Sequence, residues 1–207
     1  MYKINDTWVV KPSQSVRDIL TAGTEYHEGM MSYAASLTDN RSVAIDVGGC
    51  YGLTANQLAE HFDIVHSFEP HPETYKCLSL NAVPNVYTYQ TGVSDVAGEK
   101  LLYYRRNDGR SSYEQPRAGV EHSVSTEVKT LDSFKFDSVG LIKYDIEGHE
   151  EKALKGSLQT IIKNKPVLII ESKAYCRSSA YTHAALLLIG YELDCIYRGK
   201  DYIYVHR

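Results

Sequence analysis

Residues 43–52 read VAIDVGGCYG: five strand-forming positions that run into Gly48, Gly49 and, after two residues, Gly52. Val43, Ile45 and Val47 suit a buried strand. Gly48 and Gly49 allow positive φ and a close approach of backbone to ligand, and Gly52 lets the next helix start pack against the strand. Leu53, Leu58 and Phe62 then recur at helical spacing, residues 64–68 (IVHSF) read as a second strand, and Glu69 closes it, seventeen residues beyond Gly52. Strand, glycines, helix, strand and acid in that order place a carboxylate where ribose hydroxyls would donate to it. An adenosine-containing ligand is expected.

Working outward, the alternation continues. Pro72 suits a helix N-terminus, with Tyr75, Leu78 and Leu80 near helical spacing. Residues 86–93 alternate and read as one strand. Residues 101–104 and 125–130 look like two arms of a β-excursion, and between them residues 105–124 form a long polar loop carrying Arg105, Arg106, Arg110, Arg117 and His122. A loop of that length is either solvated or a lid over a bound acceptor, where its cations would meet an anionic or sugar group. Residues 139–144 are another strand, 150–163 one helix, 167–170 a fully apolar strand, 179–189 a helix, and 191–197 with 202–206 a hairpin. Strands alternating with helices mean an α/β sandwich with a mostly parallel, Rossmann-like sheet and a C-terminal antiparallel hairpin. Residues 1–40 are expected as an N-terminal helical cover segment forming one compact unit with a domain over residues 41–207.

Composition agrees with one soluble domain. The chain has 207 residues, 43% hydrophobic and 23% charged, with a net charge of −4. A generic nucleic-acid or anionic-membrane binder would carry a basic excess, so neither partner is expected. No apolar run approaches the ~20 residues of a membrane-spanning helix, and residues 1–7 lack the apolar core of a signal peptide. Cys50, Cys77, Cys176 and Cys195 form no CxxC pair, which argues against zinc and for free thiols in a reducing, cytoplasmic compartment. Tyr occurs 17 times against 4 Phe. It either fills half-wet strand positions or lines a pocket for a polar ligand. The oligomeric state stays open, a homodimer among the options.

Two phosphate-binding patterns fail. G-x-G-x-x-G begun at Gly48 would need glycine at Cys50 and Leu53, and no G-x-x-x-x-G-K-[ST] stretch exists. The spacing present, acid-x-Gly-x-x-x-Gly from Asp46 to Gly52, resembles the S-adenosylmethionine (SAM) site of class I methyltransferases. AIDVGGCYGLTA, SFEPHPETYKCLSLNA, TGVSDVAGE, KTLDSF, LIKYDIEGHEEKALKGS and KPVLIIES resemble, in that order over residues 23–172, the motifs of FkbM-type methyltransferases. Where that family usually has Gly-Ala-Asn, this chain has Gly48-Gly49-Cys50, losing an amide side chain beside the cofactor. Where it has Lys-Ile-Asp, this chain has Lys143-Tyr144-Asp145.

The resemblance implies SAM as cofactor. Asp46 and the amides of Gly48, Gly49, Cys50 and Gly52 would face its methionyl part, Glu69 would bind its ribose, and Gly92, Val93 and their neighbours would lie near its adenine. Glu25 and Tyr26 would cover it, and Asp145 would border it. Methyl transfer to a hydroxyl asks the protein to align donor and acceptor and to take a proton. Asp145 is the candidate base, with Glu147 and His149 as positioning groups or alternate acceptors. Lys143, two residues before Asp145 on the same strand face, would keep a carboxylate ionised if it points into the site. Glu147 and Glu150 also suit a helix start, and His149 a partly exposed helix position. Glu171 ends the neighbouring strand and either joins this group or caps a loop. Three carboxylates would suit magnesium, but no ligand geometry follows from the spacing and no metal is expected. The expected activity is O-methylation of a sugar, glycan or small-metabolite hydroxyl. The alternatives are an acceptor nitrogen and a non-catalytic cofactor-binding module; a nicotinamide oxidoreductase is disfavoured by the failed dinucleotide pattern.

Overall fold

The computed structural model describes residues 1–104, 111–114, 122–172 and 177–207, the side chains of 177–181 excepted. From the amino end, β1 (Tyr2–Ile4) and β2 (Thr7–Val9) form a hairpin, followed by α1 (Gln14–Ala22) and α2 (Met30–Ser36). Residues 1–40 are thus not purely helical. The hairpin is held by Asn81, whose side chain accepts from the Trp8 N–H and donates to the Trp8 carbonyl, both at 2.8 Å.

The central elements follow: β3 (Val43–Val47), α3 (Leu53–Leu58), β4 (Ile64–Phe68), α4 (Pro72–Asn81), β5 (Val86–Tyr89), β6 (Gly92–Val93), β7 (Gly98–Tyr104), β8 (Ser111–Ser112) and β9 (His122–Lys129). A 3₁₀ turn (Leu131–Phe134) leads to β10 (Val139–Tyr144), α5 (Glu150–Lys155), α6 (Leu158–Asn164), β11 (Val167–Glu171), α7 (Arg177–Leu188), β12 (Tyr191–Tyr197) and β13 (Asp201–His206). The large sheet has the order β12-β13-β11-β10-β3-β4-β5, parallel from β11 to β5, with β13 antiparallel between β11 and β12. Strand order reverses between β3 and β10, and a crevice opens there beyond the carboxyl ends.

Strand alternation divides the core into two layers. Ile45, Val47, Ile142, Tyr144, Leu168 and Ile170 pack on one face of the sheet, while Ala44, Leu141, Val167 and Ile169 join Met30, Met31 and Leu58 on the other. On that second face the alternation continues into Asp46, Lys143 and Glu171, so apolar rows become charged at the crevice.

Three expectations change. Residues 86–93 are two strands: β5 ends at Tyr89, Thr91 Oγ1 donates to the Glu127 carbonyl at 3.1 Å, and β6 pairs with β9. The β-excursion is a separate four-stranded sheet, β6-β9-β7-β8, and it takes His122 into β9. The helix expected over 150–163 breaks at Gly156, whose carbonyl accepts from the Asp132 N–H at 3.0 Å while the Asp132 carboxylate accepts from the Gln159 and Thr160 N–H groups at the start of α6. Residues 105–110 and 115–121, which hold the loop's arginines, lie outside the described residues, as does Cys176; Cys50, Cys77 and Cys195 are free thiols. Among the described residues no helix is long and apolar enough to cross a membrane.

Candidate functional site

The glycine turn shapes the crevice floor by what it lacks. Gly48 has φ +100°, and a Cβ on it would lie 2.0 Å from the Asp145 carbonyl oxygen; one on Gly49 would lie 2.2 Å from Ser67 Oγ. Cys50, next in line, is itself left-handed at φ 47°. The amides expected to meet a ligand carboxylate are already used. The Gly48 and Gly49 N–H groups both donate to the Phe68 carbonyl at 2.9 Å, the Cys50 N–H to Glu69 Oε2 at 3.0 Å, and the Gly52 N–H to the Gly49 carbonyl at 2.7 Å. The glycines therefore contribute room, and Gly52, at φ +86°, turns the chain into α3 without lining the cavity.

Above this floor lies a cavity of about 480 Å³, a volume suited to a small-molecule ligand. Glu69 lines it, with its carboxylate fixed from both sides: Oε1 accepts from the His71 N–H at 2.8 Å, opposite the Cys50 contact. Burial pushes Glu69 up to about 7 despite those two donors. Asp46 does not reach the cavity. It is fully buried behind the loop, its Oδ2 accepts from Ser67 Oγ at 3.0 Å, and its Oδ1 has no hydrogen-bond partner among the described residues. Burial also raises Asp46, with Lys143 opposing the shift.

The opposite wall is the turn after β10. Lys143 is 1% exposed, and its Nζ donates to Asp145 Oδ2 at 2.7 Å. Burial alone would raise Asp145, but the Lys143 ammonium outweighs it and holds the carboxyl well below the usual range. Lys143 is raised in return: its burial is overcome by Asp145 and Asp46. Glu150 closes the turn, with Oε1 accepting from the Ile146 and Gly148 N–H groups at 3.1 and 3.0 Å. That bend sets Glu147 at φ 56° on the cavity wall, where its carbonyl accepts from Ser112 Oγ at 2.9 Å.

His149 points away from the cavity. It is 1% exposed, with Nε2 2.9 Å from Ser94 Oγ and Nδ1 2.8 Å from Glu114 Oε1, which also accepts from Lys152 Nζ at 2.8 Å. Burial lowers it, against the pull of Glu114. With Lys152 it holds Glu114, and Ser111, Ser112 and Tyr113 before it form a strap that lines the cavity. Gly92 and Val93 are likewise buried behind this strap and do not line the cavity. Tyr113 does so in their place, its hydroxyl 2.8 Å from Thr126 Oγ1, over a Gly92 whose Cβ would fall 2.2 Å from that hydroxyl. Tyr26 lines the cavity, and burial first, then the Asp145 charge, raises its hydroxyl. Glu25 is exposed and accepts from the Gly29 N–H at 3.2 Å instead.

Of the residues singled out from sequence, Tyr26, Gly48, Gly49, Cys50, Glu69, Asp145 and Glu147 therefore share one cavity. Lys143 and Asp46 stand just behind it, and Glu25, Gly92, Val93 and His149 are elsewhere. Sequence reasoning missed Ser13 and Ser15 at the start of α1, Tyr113 and Lys200, all on the lining. Glu171 also lines it, at the end of β11. It stands beside Asp145 at the paired strand ends and within 2.5 Å of Lys200 Nζ, and burial followed by the Asp145 charge pushes it up to about 7. The signal that singled out Glu69, an acid ending a buried strand, applies equally to Glu171. Among the described residues no three His, Cys, Asp or Glu side chains gather to hold a metal ion.

A parallel sheet with its glycine turn at the switch point and an anchored acid on the next strand defines a class I methyltransferase-like fold. Solved structures share it. The FkbM methyltransferase of Methylobacillus flagellatus superposes with a TM-score of 0.57 at 18% identity, covering 95% of this chain and 56% of its own. The magnesium protoporphyrin IX methyltransferase of Synechocystis, solved with SAM bound, gives 0.53 at 12%, covering 94% and 85%. The precorrin 8W decarboxylase of Methanobacterium thermoautotrophicum gives 0.53 at 14%, covering 87% and 90%. At these identities the likeness is one of fold. Residues 46–200 match the methyltransferase FkbM domain, and the chain belongs to that family. No curated protein matches the sequence.

Proposed function

We propose that this chain is a SAM-dependent methyltransferase acting on a hydroxyl of a sugar, glycan or small metabolite. The observation that carries the reading is the cavity itself: glycines with no room for a Cβ face a Glu69 carboxylate whose orientation two backbone N–H groups fix. The residues present suit the cofactor. Glu69 keeps lone pairs for ribose hydroxyls, and Tyr113 and Leu102 supply an apolar wall. When bound, SAM would supply an activated methyl group. The protein's own part is then alignment and proton handling. Asp145 and Glu171 form an anionic end to the cavity, Lys143 prevents Asp145 from protonating, and Tyr26 with the start of α1 closes the top. The negative net charge supports an acceptor other than nucleic acid, and a cytoplasmic location follows from the free thiols as part of this reading.

Parallel calorimetric titrations with SAM, S-adenosylhomocysteine and NAD test it. The first two should bind at one site and NAD should not; preference for NAD, or no binding of any, refutes the cofactor. Methyl-labelled SAM offered with candidate glycans then tests transfer.

A further inference from the structure

We propose that Glu171, at the carboxyl end of β11, takes the proton from the acceptor hydroxyl, and that Asp145 beside it serves as a fixed anion. The inference rests on the methyltransferase reading and adds which carboxylate receives the proton. Asp145 is tied to the buried Lys143 ammonium at 2.7 Å, and a carboxylate so paired is a weak base. Glu171 is paired too, with Lys200, but that side chain is 45% exposed and water screens its charge, whereas Lys143 is 1% exposed. As a carboxylate it accepts from Lys200 Nζ, and as an acid it would donate to the Asp145 carboxylate that the β10–β11 register sets beside it.

The charged and titratable groups around Glu171 come from several elements. Asp145 and Lys143 approach from β10 and its turn, and Lys200 from the hairpin. Asp201 stands in register with Glu171 on β13, and Tyr26 comes from the cover segment. Burial and the Asp145 charge raise Glu171 to about 7, where a general base is half ionised at neutral pH and still binds a proton firmly. In the transfer, an oxygen lone pair forms the bond to the methyl carbon while the carbon–sulfur bond breaks with its pair going to sulfur. The O–H proton passes to Glu171, which then donates to Asp145. Sulfonium and carboxylate both end neutral, so charge balances.

The test does not need the natural acceptor. Calorimetry of the full chain at pH 7, in buffers of different ionisation enthalpy, counts protons exchanged on binding. SAM brings a positive sulfur next to Glu171 and should expel about half a proton more from wild type than from Glu171→Gln. S-adenosylhomocysteine, a neutral thioether, should leave the two proteins within about 0.1 proton of each other, since Glu69 contributes equally to both ligands. Lys200→Met, which keeps the carboxyl, should move the release to higher pH. In labelled-methyl transfer, Glu171→Gln should lower kcat at least about 100-fold and remove its low-pH limb. A release that survives in Glu171→Gln, equal release with both ligands, or a wild-type kcat in that variant overturns the assignment of Glu171. Failure of both ligands to bind refutes the cofactor reading and this proposal with it.

Discussion

Replacing Lys143 by Met removes the cation that sits between two acids. Lys143 is 1% exposed, bonds Asp145 at 2.7 Å and acts electrostatically on the fully buried Asp46. Met fits the volume, so the change is one of charge. Removing one partner of a buried pair typically costs about 3–5 kcal/mol, because the other charge is left uncompensated. With a urea dependence of about 2 kcal/mol per M, the unfolding midpoint should fall by about 1.5–2.5 M. The pH dependence follows from the sign of each shift. In wild type Asp145 lies below its unfolded value of 3.8, so its stabilisation is complete above that pH and is lost as pH falls through the lower folded value. Lys143 lies above its unfolded 10.5, so its share persists until pH rises past that value. In the variant, burial acts on both carboxyls without the Lys143 charge against it, so both rise relative to wild type, and each regains stability by protonating as pH falls. The deficit should therefore be large at pH 8 and smaller at pH 5. The companion Lys143→Met/Asp145→Asn should recover part of it. Urea titrations followed by far-ultraviolet circular dichroism read all of this. A midpoint loss below about 0.5 M at pH 8, or an equal loss at both pH values, refutes the argument.

Gly92→Ala would put a Cβ 2.2 Å from the Tyr113 hydroxyl and push that ring from the cavity wall. SAM affinity by calorimetry should weaken about tenfold, whereas Thr126→Val, which removes only the hydroxyl's partner, should do less. Burial raises Glu69 to about 7 from an unfolded value near 4.5, so its ionisation opposes folding: stability is greatest below 4.5 and declines until pH passes 7. Glu69→Gln should flatten that decline by up to about 3 kcal/mol in urea titrations at pH 5 and 8, and an unchanged slope would count against the buried carboxylate.

The legible part of the site was local. Gly48, Gly49 and Gly52 announce backbone that side chains would block, and each has a neighbour or a positive φ that requires glycine. Glu69 could be found because strand length, turn and helix together fix how far the next strand end lies. The strand periodicity placed Lys143 and Asp145 together, and the ion pair between them follows. Less legible was what the backbone amides do: nothing in VGGC says that Phe68 and Glu69 consume the three N–H groups. His149 could not be read either, since only the arrival of Ser94 and Glu114 from distant segments decides that it faces inward.

Sequence alone thus determined the central alternation of strands and helices, the glycine turn and the acids that end β4 and β10, because these depend on steric freedom and periodicity within a few residues. Tertiary structure alone decided that Glu171 is buried beside Asp145, which raises it. Protonation depends on burial and on charges within a few ångströms, and Glu171 reaches Asp145 and Lys200 only after β10, β11 and the C-terminal hairpin have paired.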